Sequence, residues 1–379
     1  MSIKFICNDC NKEYRPETQV IKCQCGGMLN LDDFPISLSK EDLLENEWSL
    51  FRYKSALPFH SAFDGWKAIT MGEGFTGIVP LDPKHPEVLV KMDYMMPTLS
   101  FKDRGAAVLI AKAKELGVKK VIQDSSGNAG TAIAAYANRA GILCDIYVPE
   151  GTSPKKIKQI ASHGATVHVV KGTREDTAKA ALEAVENGGG FYASHVYNPF
   201  FYQGTKTYAY EIYEQLGGEI PETIVLPVGN GTLLLGAYYG FTDLKKLGLI
   251  KGLPKFIAVQ SQGCAPLYKA FTEGNTSVEP VTNTGTLAEG IAIGEPMRGK
   301  QILEAVRATG GIIITAPEED ILGTRDYLAE KGFYVEPTTA ATFAGYFNYV
   351  KEQSHSNAAD AGSGKVLIPL CGAGLKSDK

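Results

Sequence analysis

The chain contains Ser100-Phe101-Lys102-Asp103-Arg104-Gly105 and, one predicted βα unit later, Ser125-Ser126-Gly127-Asn128. The lysine stands at the start of a predicted helix, and the loop of small polar residues follows a predicted strand. A lysine in such a position is usually a solvated charge. Beside this loop, however, its amine could hold an aldehyde cofactor as a Schiff base, while the loop binds the cofactor hydroxyl and a substrate carboxylate.

A glycine-rich turn supplies a second indication. Gly229-Asn230-Gly231-Thr232-Leu233 follows a predicted buried strand and opens a helix. Glycines let the backbone approach an anion, and the free N–H groups at a helix start point toward it. The turn is neither a Walker loop nor a Gly-x-Gly-x-x-Gly motif, so alone it is weak evidence. Together with Lys102 it predicts pyridoxal phosphate, which needs both an amine and a phosphate-binding turn.

A cysteine near the C-terminus supplies the third indication. Cys371 ends the last predicted strand and is followed by Gly372-Ala373-Gly374. A small polar residue at this point can face the pyridine nitrogen of the cofactor. The simpler alternative is a buried cysteine in a C-terminal turn, which is the commoner role of this residue type.

The order of predicted elements indicates the fold. Apolar runs predict strands at 87–92, 121–123, 143–148, 166–170, 191–194, 223–227, 255–260 and 365–370. Helical patterns occupy 101–117, 129–139, 154–163, 176–187, 318–331 and 338–350, with Ser100 as the expected N-cap of the first helix. This alternation predicts an α/β protein with two open parallel-sheet domains that carry helices on both faces.

The first 35 residues differ from the rest. Cys7-x-x-Cys10 and Cys23-x-Cys25 stand in a segment that is too small for a hydrophobic core of its own. Four thiolates in two turns predict a structural zinc ribbon, because four protein ligands leave no open position on the metal. Four free thiols in a mobile tail are the alternative.

Composition excludes several classes of protein. The formal charge is −4 and there is no basic run, which argues against binding to nucleic acid or to a membrane surface. No apolar run approaches the roughly 18 residues that a membrane span requires. The seven cysteines are an odd number, and their scatter favours reduced thiols. We therefore expect a cytoplasmic protein that acts on a small molecule.

Taken in order, the motifs carry a resemblance to a known family. They are the Pro97 to Gly105 block, Ser125-Ser126-Gly127-Asn128, Pro227-Val228-Gly229-Asn230-Gly231, Glu336-Pro337-Thr338-Thr339-Ala340-Ala341 and the Gly372 to Lys376 end. From about residue 72 onward the chain resembles the threonine synthase branch of the fold-type II pyridoxal-phosphate enzymes. The cysteine segment is also similar to one that many threonine synthases carry.

This resemblance implies a domain organisation and an assembly. Residues 1–35 would form the zinc ribbon, 36–95 and 200–379 the large cofactor-binding domain, and 96–199 a small inserted βα domain. The resemblance also implies a homodimer.

The resemblance further implies roles for individual residues. Lys102 would bind the cofactor covalently and shuttle protons, Phe101 would lie beside the ring, and Asn128 would donate to its phenolic oxygen. Gly229, Asn230, Gly231, Thr232 and Leu233 would bind the phosphate, and Cys371 would face the pyridine nitrogen. Ser125, Ser126 and Gly127 would hold the substrate carboxylate, and Glu336 would lie near the cofactor.

Several positions depart from the family pattern where the substrate phosphate should bind. Ala129 replaces a threonine, His195-Val196 replaces Asn-Ser, Phe201 and Ala292 each replace an arginine, and Leu99 replaces a glycine. One explanation is that the loop is offset by a residue relative to the family, or that Arg104 or another cation binds the phosphate instead. The other explanation is that the enzyme takes a substrate without phosphate. Ala129 and His195 would then contact the substrate, although an ordinary packed histidine is the simpler interpretation.

Three functions follow. The first is threonine-synthase-like elimination and replacement, which turns O-phosphohomoserine and water into threonine and phosphate. The second is a dehydratase or ammonia-lyase that releases a keto acid and ammonia from a non-phosphorylated amino acid of the serine, threonine or diaminopropionate type; Thr286 to Ala292 resembles the dehydratases. The third is a binding protein built on a decayed enzyme.

Overall fold

The computed structural model describes residues 3–18, 20–355 and 364–377. At the N-terminus, three short strands form an antiparallel sheet of order β2-β1-β3. They are β1 (Phe5–Cys7), β2 (Glu13–Tyr14) and β3 (Leu29–Leu31). The segment does not stand apart from the body, because the ring of Phe5 packs against that of Phe200 with centroids 5.1 Å apart. The few apolar side chains of this segment are thus buried against the body of the protein.

The next elements build a four-stranded sheet. After β4 (Ile78–Asp82) and β5 (His85–Lys91) come α1 (Lys102–Glu115), β6 (Lys120–Gln123), α2 (Asn128–Arg139), β7 (Leu143–Pro149), α3 (Pro154–Ser162), β8 (Thr166–Val170), α4 (Arg174–Glu186) and β9 (Phe191–Tyr192). Strands β6 to β9 pair in parallel in the order β8-β7-β6-β9. This sheet is therefore built entirely from residues 120–192.

The remaining elements complete a six-stranded sheet. They are α5 (Pro199–Thr205), α6 (Thr207–Gln215), β10 (Thr223–Pro227), α7 (Thr232–Lys246), β11 (Lys255–Ser261), α8 (Pro266–Thr272), α9 (Gly299–Ala308), β12 (Ile312–Ala316), α10 (Glu318–Glu330), α11 (Pro337–His355) and β13 (Val366–Pro369). The order is β12-β11-β10-β13-β5-β4, parallel except for the antiparallel edge pair β4–β5. The α/β fold is confirmed, but the expectation of purely parallel sheets was wrong at this edge.

The start of α1 also differs from expectation. Ser100 is not its N-cap; the helix begins at Lys102, and Ser100 Oγ is buried without a hydrogen-bond partner among the described residues. Asp103 instead turns back, and its carboxylate accepts from the backbone N–H of Thr98 at 2.7 Å and from the Thr98 hydroxyl. The preceding Leu99 adopts a left-handed φ of 62°. Residues 98–101 thus form a tight loop, and the helix begins after it at Lys102.

Arg298 joins the cysteine segment to the body. Its guanidinium donates to the backbone carbonyl of Leu29 and the side chain of Asn30, each at 2.8 Å, on the segment. The same group donates at 2.8 Å to the carbonyl of Val196 and stacks 4.5 Å from the ring of Tyr202. Arg298 is 1% exposed. One buried cation therefore links strand β3 to the loop that carries His195.

Candidate active site

A cleft of about 420 Å³ lies between the carboxyl ends of the two sheets. Its lining includes every residue that the sequence predicted for cofactor and substrate: Phe101, Lys102, Ser125, Ser126, Gly127, Asn128, Ala129, His195, Gly229, Asn230, Gly231, Thr232, Leu233 and Cys371. Ligands of open α/β sheets bind at such edges, because loops from several strands converge there.

Lys102 occupies the floor of the cleft at the first position of α1. Its amine donates to Thr232 Oγ1 at 2.7 Å and lies 4.5 Å from the ring centroid of Phe101. Burial lowers the pKa of Lys102 to about 8, and the charges of Cys371 and Glu336 oppose that shift only in part. An amine with this pKa is about one-tenth unprotonated at pH 7, far more than an ordinary lysine, and Schiff-base chemistry and proton transfer both require that form.

The glycine turn forms the start of α7. Gly231 has φ of 75°, a conformation that favours glycine, and a Cβ there would lie 2.6 Å from Ile302. No side chain caps the helix at Gly231. The first N–H groups of any helix have no acceptor within it, so those of Thr232 and Leu233 are available to a ligand. An uncapped helix start facing a cleft fits a phosphate group.

The second loop, at 125–128, forms the start of α2. Gly127 precedes the helix, and no side-chain hydrogen bond caps it. The loop rests directly on the helix at Gly130, where a Cβ would meet the carbonyl oxygen of Ser125 at 1.8 Å. Gly130 is a requirement that the sequence alone did not reveal. Two uncapped helix starts, those of α2 and α7, thus face one cleft and fit two separate anionic groups.

Glu336 lies across from this second loop. Asn128 Nδ2 donates to Glu336 Oε2 at 3.0 Å. The carboxylate fills the space over Gly372, where a Cβ would come within 2.3 Å of it. Burial raises the pKa of Glu336, while the hydrogen bond from Asn128 and the charges of Lys376 and Lys102 lower it. The contact fixes the orientation of the Asn128 amide.

Cys371 is held at the inner wall. Its backbone N–H donates to Thr339 Oγ1 at 3.1 Å, and its carbonyl accepts from the N–H of Phe101 at 2.9 Å. Burial raises the pKa of the thiol well above its usual value, and the nearby Glu336 adds to that effect. A neutral thiol here can share a hydrogen bond with a ring nitrogen but cannot keep that nitrogen charged.

The positions that depart from the family pattern separate into two groups. Ala129, His195, Val196 and Ala292 line the cleft. Phe201 is fully buried, and its ring fills the space over Gly105, where a Cβ would lie 2.3 Å from it. A phenylalanine here is therefore a packing residue beneath the cleft floor.

Arg104 cannot replace the missing cation. It is 0% exposed, and its guanidinium donates to both carboxylate oxygens of Asp93, each at 2.8 Å. It donates equally to both oxygens of Glu211, at 2.6 and 2.8 Å. Lys91 joins the same network through Glu211 at 3.0 Å. All five possible donor directions of Arg104 point into the core, away from any ligand.

Sequence reasoning missed three cations of the cleft. Lys156, Arg174 and Lys376 line it beside the predicted residues. Arg174 is the first residue of α4 and Lys156 is in the first turn of α3, and each of these helices follows a parallel strand of the four-stranded sheet. Helix starts of this kind gather at the ligand-binding edge, and this signal was available in the predicted order of elements.

The four N-terminal cysteines come together. Their sulfurs all lie within 4.8 Å of one another. Cys7 and Cys25 are 3.5 Å apart and Cys10 and Cys23 are 3.4 Å apart. A tetrahedral zinc with bonds of about 2.3 Å would place its sulfurs about 3.8 Å apart. The donor set and its spacing therefore fit a zinc ion.

Comparison with known proteins identifies the family. Residues 69–372 match the model of the family described as pyridoxal-phosphate dependent enzyme. A threonine synthase of Methanocaldococcus jannaschii is 32% identical over 357 residues, which cover 91% of this chain and 87% of the relative. One of Methanosarcina acetivorans is 34% identical over 349 residues, covering 89% and 85%.

The chain belongs to the threonine synthase family of pyridoxal-phosphate-dependent enzymes. The resemblance inferred from the motifs is thereby confirmed, as is the prediction of a pyridoxal-phosphate-dependent lyase. Solved structures show the same fold. Maize serine racemase superposes with a TM-score of 0.69 at 19% identity, covering 84% of this threonine synthase family member and 95% of that chain.

A second solved structure has the same fold. The processed form of threonine deaminase isoform 2 from Solanum lycopersicum superposes with a TM-score of 0.69 at 20% identity, covering 90% of this chain and 87% of that one. In the part of this family member that the structure describes, no helix has the length and apolar character to span a membrane.

Proposed function

We propose that this enzyme converts O-phosphohomoserine and water into threonine and phosphate. The observation that carries the proposal is the contact between Lys102 and Thr232, which brings a reactive amine to the start of α7 at 2.7 Å. The threonine synthases that are 32–34% identical over most of the chain support the same activity. The cofactor of this reaction class carries an aldehyde, which reacts with an amine, and a phosphate. Lys102 and the start of α7 are close enough to bind these two groups of one molecule.

In this proposal, pyridoxal phosphate is held by residues on four elements. Gly229, Asn230, Gly231, Thr232 and Leu233 would bind its phosphate, Lys102 its aldehyde carbon, Phe101 and Cys371 its ring, and Asn128 its phenolic oxygen. Once bound, pyridoxal phosphate stabilises negative charge on the Cα of an attached amino acid. A neutral Cys371 thiol would not hold a positive charge on the ring nitrogen, and this would favour elimination over amino-group transfer.

Lys102 then acts as the acid and base of the reaction. With the substrate bound in the cleft, the Lys102 amine would accept its α-proton. A pKa of about 8 allows it to accept and return protons near neutral pH. The substrate carboxylate lies at the start of α2, on the N–H groups of Ser126 to Asn128, and stays fixed while protons move. This fixation keeps Cα within reach of Lys102.

A second function remains open, namely release of a keto acid and ammonia from a non-phosphorylated amino acid. The specific observation in its favour is the replacement of a family arginine by the fully buried Phe201. One experiment separates the two. Purified enzyme loaded with pyridoxal phosphate is given O-phospho-L-homoserine, and phosphate and threonine are measured. Equal amounts of both, lost in Lys102→Ala, support the proposal, whereas no phosphate but keto acid from L-threonine or L-serine supports the alternative.

We also propose that the cysteine cluster holds a structural zinc ion, because its four sulfurs fit a tetrahedral site. Metal analysis of purified enzyme should give about one zinc per chain. Cys10→Ser should remove it and lower the melting temperature, since structural zinc contributes folding free energy directly. Cys264→Ala changes a cysteine outside the cluster and is the control. Full zinc content in the Cys10→Ser variant would contradict the proposal.

The predicted domains and assembly remain proposals. A small domain at 96–199 is supported by the four-stranded sheet, which uses residues 120–192 only. The large domain would then comprise 36–95 and 200–379, and the ribbon 1–35. Limited proteolysis would test these boundaries, and sedimentation equilibrium would test the homodimer.

A further inference from the structure

The cleft has lost the cation expected for the leaving group, yet it is not without positive charge. Besides Lys102, it is lined by Lys156, Arg174 and Lys376. A phosphate ester needs charge-assisted hydrogen bonds for tight recognition, and arginine supplies two parallel donors. The question is which of these side chains is available to a substrate.

Two of the three are engaged by the protein. Lys376 is 8% exposed and donates to the carbonyl of Thr98 at 2.6 Å. Lys156 forms an ion pair with Glu289 at 2.6 Å, across the mouth of the cleft. These contacts tie the two lysines to the walls, and Glu289 also balances the charge of Lys156. Neither is therefore the best partner for a large anion inside the cleft.

Arg174 differs from both. It is the first residue of α4, directly after the capping Thr173, and its side chain is exposed to the cleft. Within residues 3–18, 20–355 and 364–377, no hydrogen bond or ion pair engages its guanidinium. All of its donors are thus available. The capping box formed by Thr173 and Asp176 fixes the backbone on which it stands.

His195 lines the same cleft as Lys102 and Arg174. Its pKa is well below the usual value because of burial, and the positive charges of Lys102 and Arg174 lower it further. Both cations are therefore near enough to His195 for their charges to act on its ring. Its Nδ1 atom is buried and has no hydrogen-bond partner among the described residues. A neutral ring with a free nitrogen, placed along the cleft, can hydrogen-bond to a ligand.

Five carboxylates among the described residues line the cleft and bear on the sign of its charge: Asp124, Glu175, Glu289, Glu295 and Glu336. Asp124 accepts from the hydroxyl of Tyr192 at 2.9 Å. Burial raises the pKa of Asp124, while the hydrogen bond from Tyr192 and the charge of Arg174 lower it. Glu175 also lines the cleft and is exposed to solvent, where its charge is screened.

We propose that Arg174, together with His195, binds the anionic leaving group at the far end of the substrate side chain. This inference rests on the proposed function, and it adds the residues that recognise the phosphate of the substrate. The amino group of the substrate lies at Lys102, its side chain passes His195, and its phosphate meets the guanidinium. Arg174 on α4 thereby takes the role of the family arginine whose position on α5 is occupied by Phe201.

The test uses two ligands on the loaded enzyme. One is O-phospho-L-homoserine, whose turnover is followed by phosphate release. The other is 2-amino-5-phosphonopentanoate, a phosphonate that cannot lose its anionic group, whose binding is followed through the visible absorption of the cofactor. The variants are Arg174→Ala and Arg174→Lys. Lys171→Ala, an exposed cation three residues earlier, is the matched control.

We expect Arg174→Ala to weaken phosphonate binding at least tenfold and to raise KM for phosphohomoserine by a similar factor. Arg174→Lys should lie between that variant and the wild type, because it keeps the charge but loses the paired donors. Lys171→Ala should change neither. Cofactor absorption should remain the same in all of them, which shows that the fold and the cofactor site are intact.

The outcomes distinguish this inference from the proposed function. If the wild type binds the phosphonate through Arg174 but releases no phosphate from phosphohomoserine, the anion site stands and the proposed reaction is wrong. If the wild type turns over phosphohomoserine and Arg174→Ala matches it in KM and in phosphonate binding, the inference is overturned. A wild-type enzyme that binds no phosphonate overturns it as well.

Discussion

Asn128 donates a hydrogen bond to Glu336 at 3.0 Å, and this contact decides which side of the amide faces the cofactor site. With one N–H of Asn128 committed to the carboxylate, the other N–H points away from it on the same side of the amide. A phenolic oxygen needs a donor, so an amide turned the other way would present a carbonyl and repel it. Glu336 is therefore a positioning residue for Asn128.

Replacement of Glu336 should affect cofactor binding through Asn128. Glu336→Ala removes the acceptor of a half-buried amide donor, which costs about 1 kcal/mol. We expect weaker retention of pyridoxal phosphate on dialysis and a shifted visible absorption band. Glu336→Gln still offers an oxygen acceptor and should retain the cofactor better than the alanine variant. Identical retention and spectra in both variants and the wild type would show that Glu336 does not orient Asn128.

The acidity of Lys102 should be visible during reconstitution. Burial lowers its pKa to about 8, so the reactive unprotonated amine becomes the major form above that pH instead of above about 10.4. The rate at which cofactor-free enzyme gains its visible band should therefore rise between about pH 7 and pH 9 and then level off. Lys102→Arg should form no band. A rate that keeps rising to pH 10 would contradict the lowered pKa.

Leu99 stores strain that a glycine would relieve. Its φ of 62° is left-handed, which costs a residue with a Cβ about 1–2 kcal/mol. Leu99→Gly and Leu99→Ala both remove the side chain, but only glycine removes the strain. After allowance for the greater unfolded-state entropy of glycine, we expect the glycine variant to be the more stable by about 0.5–1 kcal/mol in urea unfolding. An alanine variant of equal or greater stability would be evidence against strain at this position.

The ion network beneath the cleft should be sensitive to loss of its centre. Arg104→Met leaves the carboxylates of Asp93 and Glu211 buried with only Lys91 and hydroxyl groups to balance them. Removing one partner of a buried pair typically costs about 3–5 kcal/mol. Arg307→Met, at an exposed arginine whose guanidinium donates to the carbonyl of Asn275, should change stability little. Similar melting temperatures for both variants would show that the network contributes nothing specific.

The sequence predicted the α/β architecture because the strands are short apolar runs and the helices have clear starts and ends. It also predicted which residues meet at the cleft, since motifs that follow parallel strands converge at one edge. It could not predict that Asp103 binds Thr98 in place of a cap at Ser100, because both arrangements use the same residue types. Nor could it show that Phe201 is buried, which depends on the closeness of Gly105.

Arg174 and Glu336 show which features of the site could not be predicted from the sequence. A single exposed arginine at a helix start carries no pattern of its own, and only the position of the start of α4 at the cleft gives it a possible ligand. Glu336 stands more than two hundred positions after Asn128, and no local rule connects them. Contacts of this kind depend on how two sheets are placed, which is a property of the whole fold.

The buried Arg298 has a consequence for protein engineering. A cysteine segment of this kind would ordinarily be treated as a portable module that can be deleted, exchanged or fused to another protein. Here deletion would remove Leu29 and Asn30, two of the acceptors of a guanidinium that also supports the loop at Val196. A shortened enzyme would therefore need a compensating apolar substitution at position 298 before it could serve as a minimal scaffold.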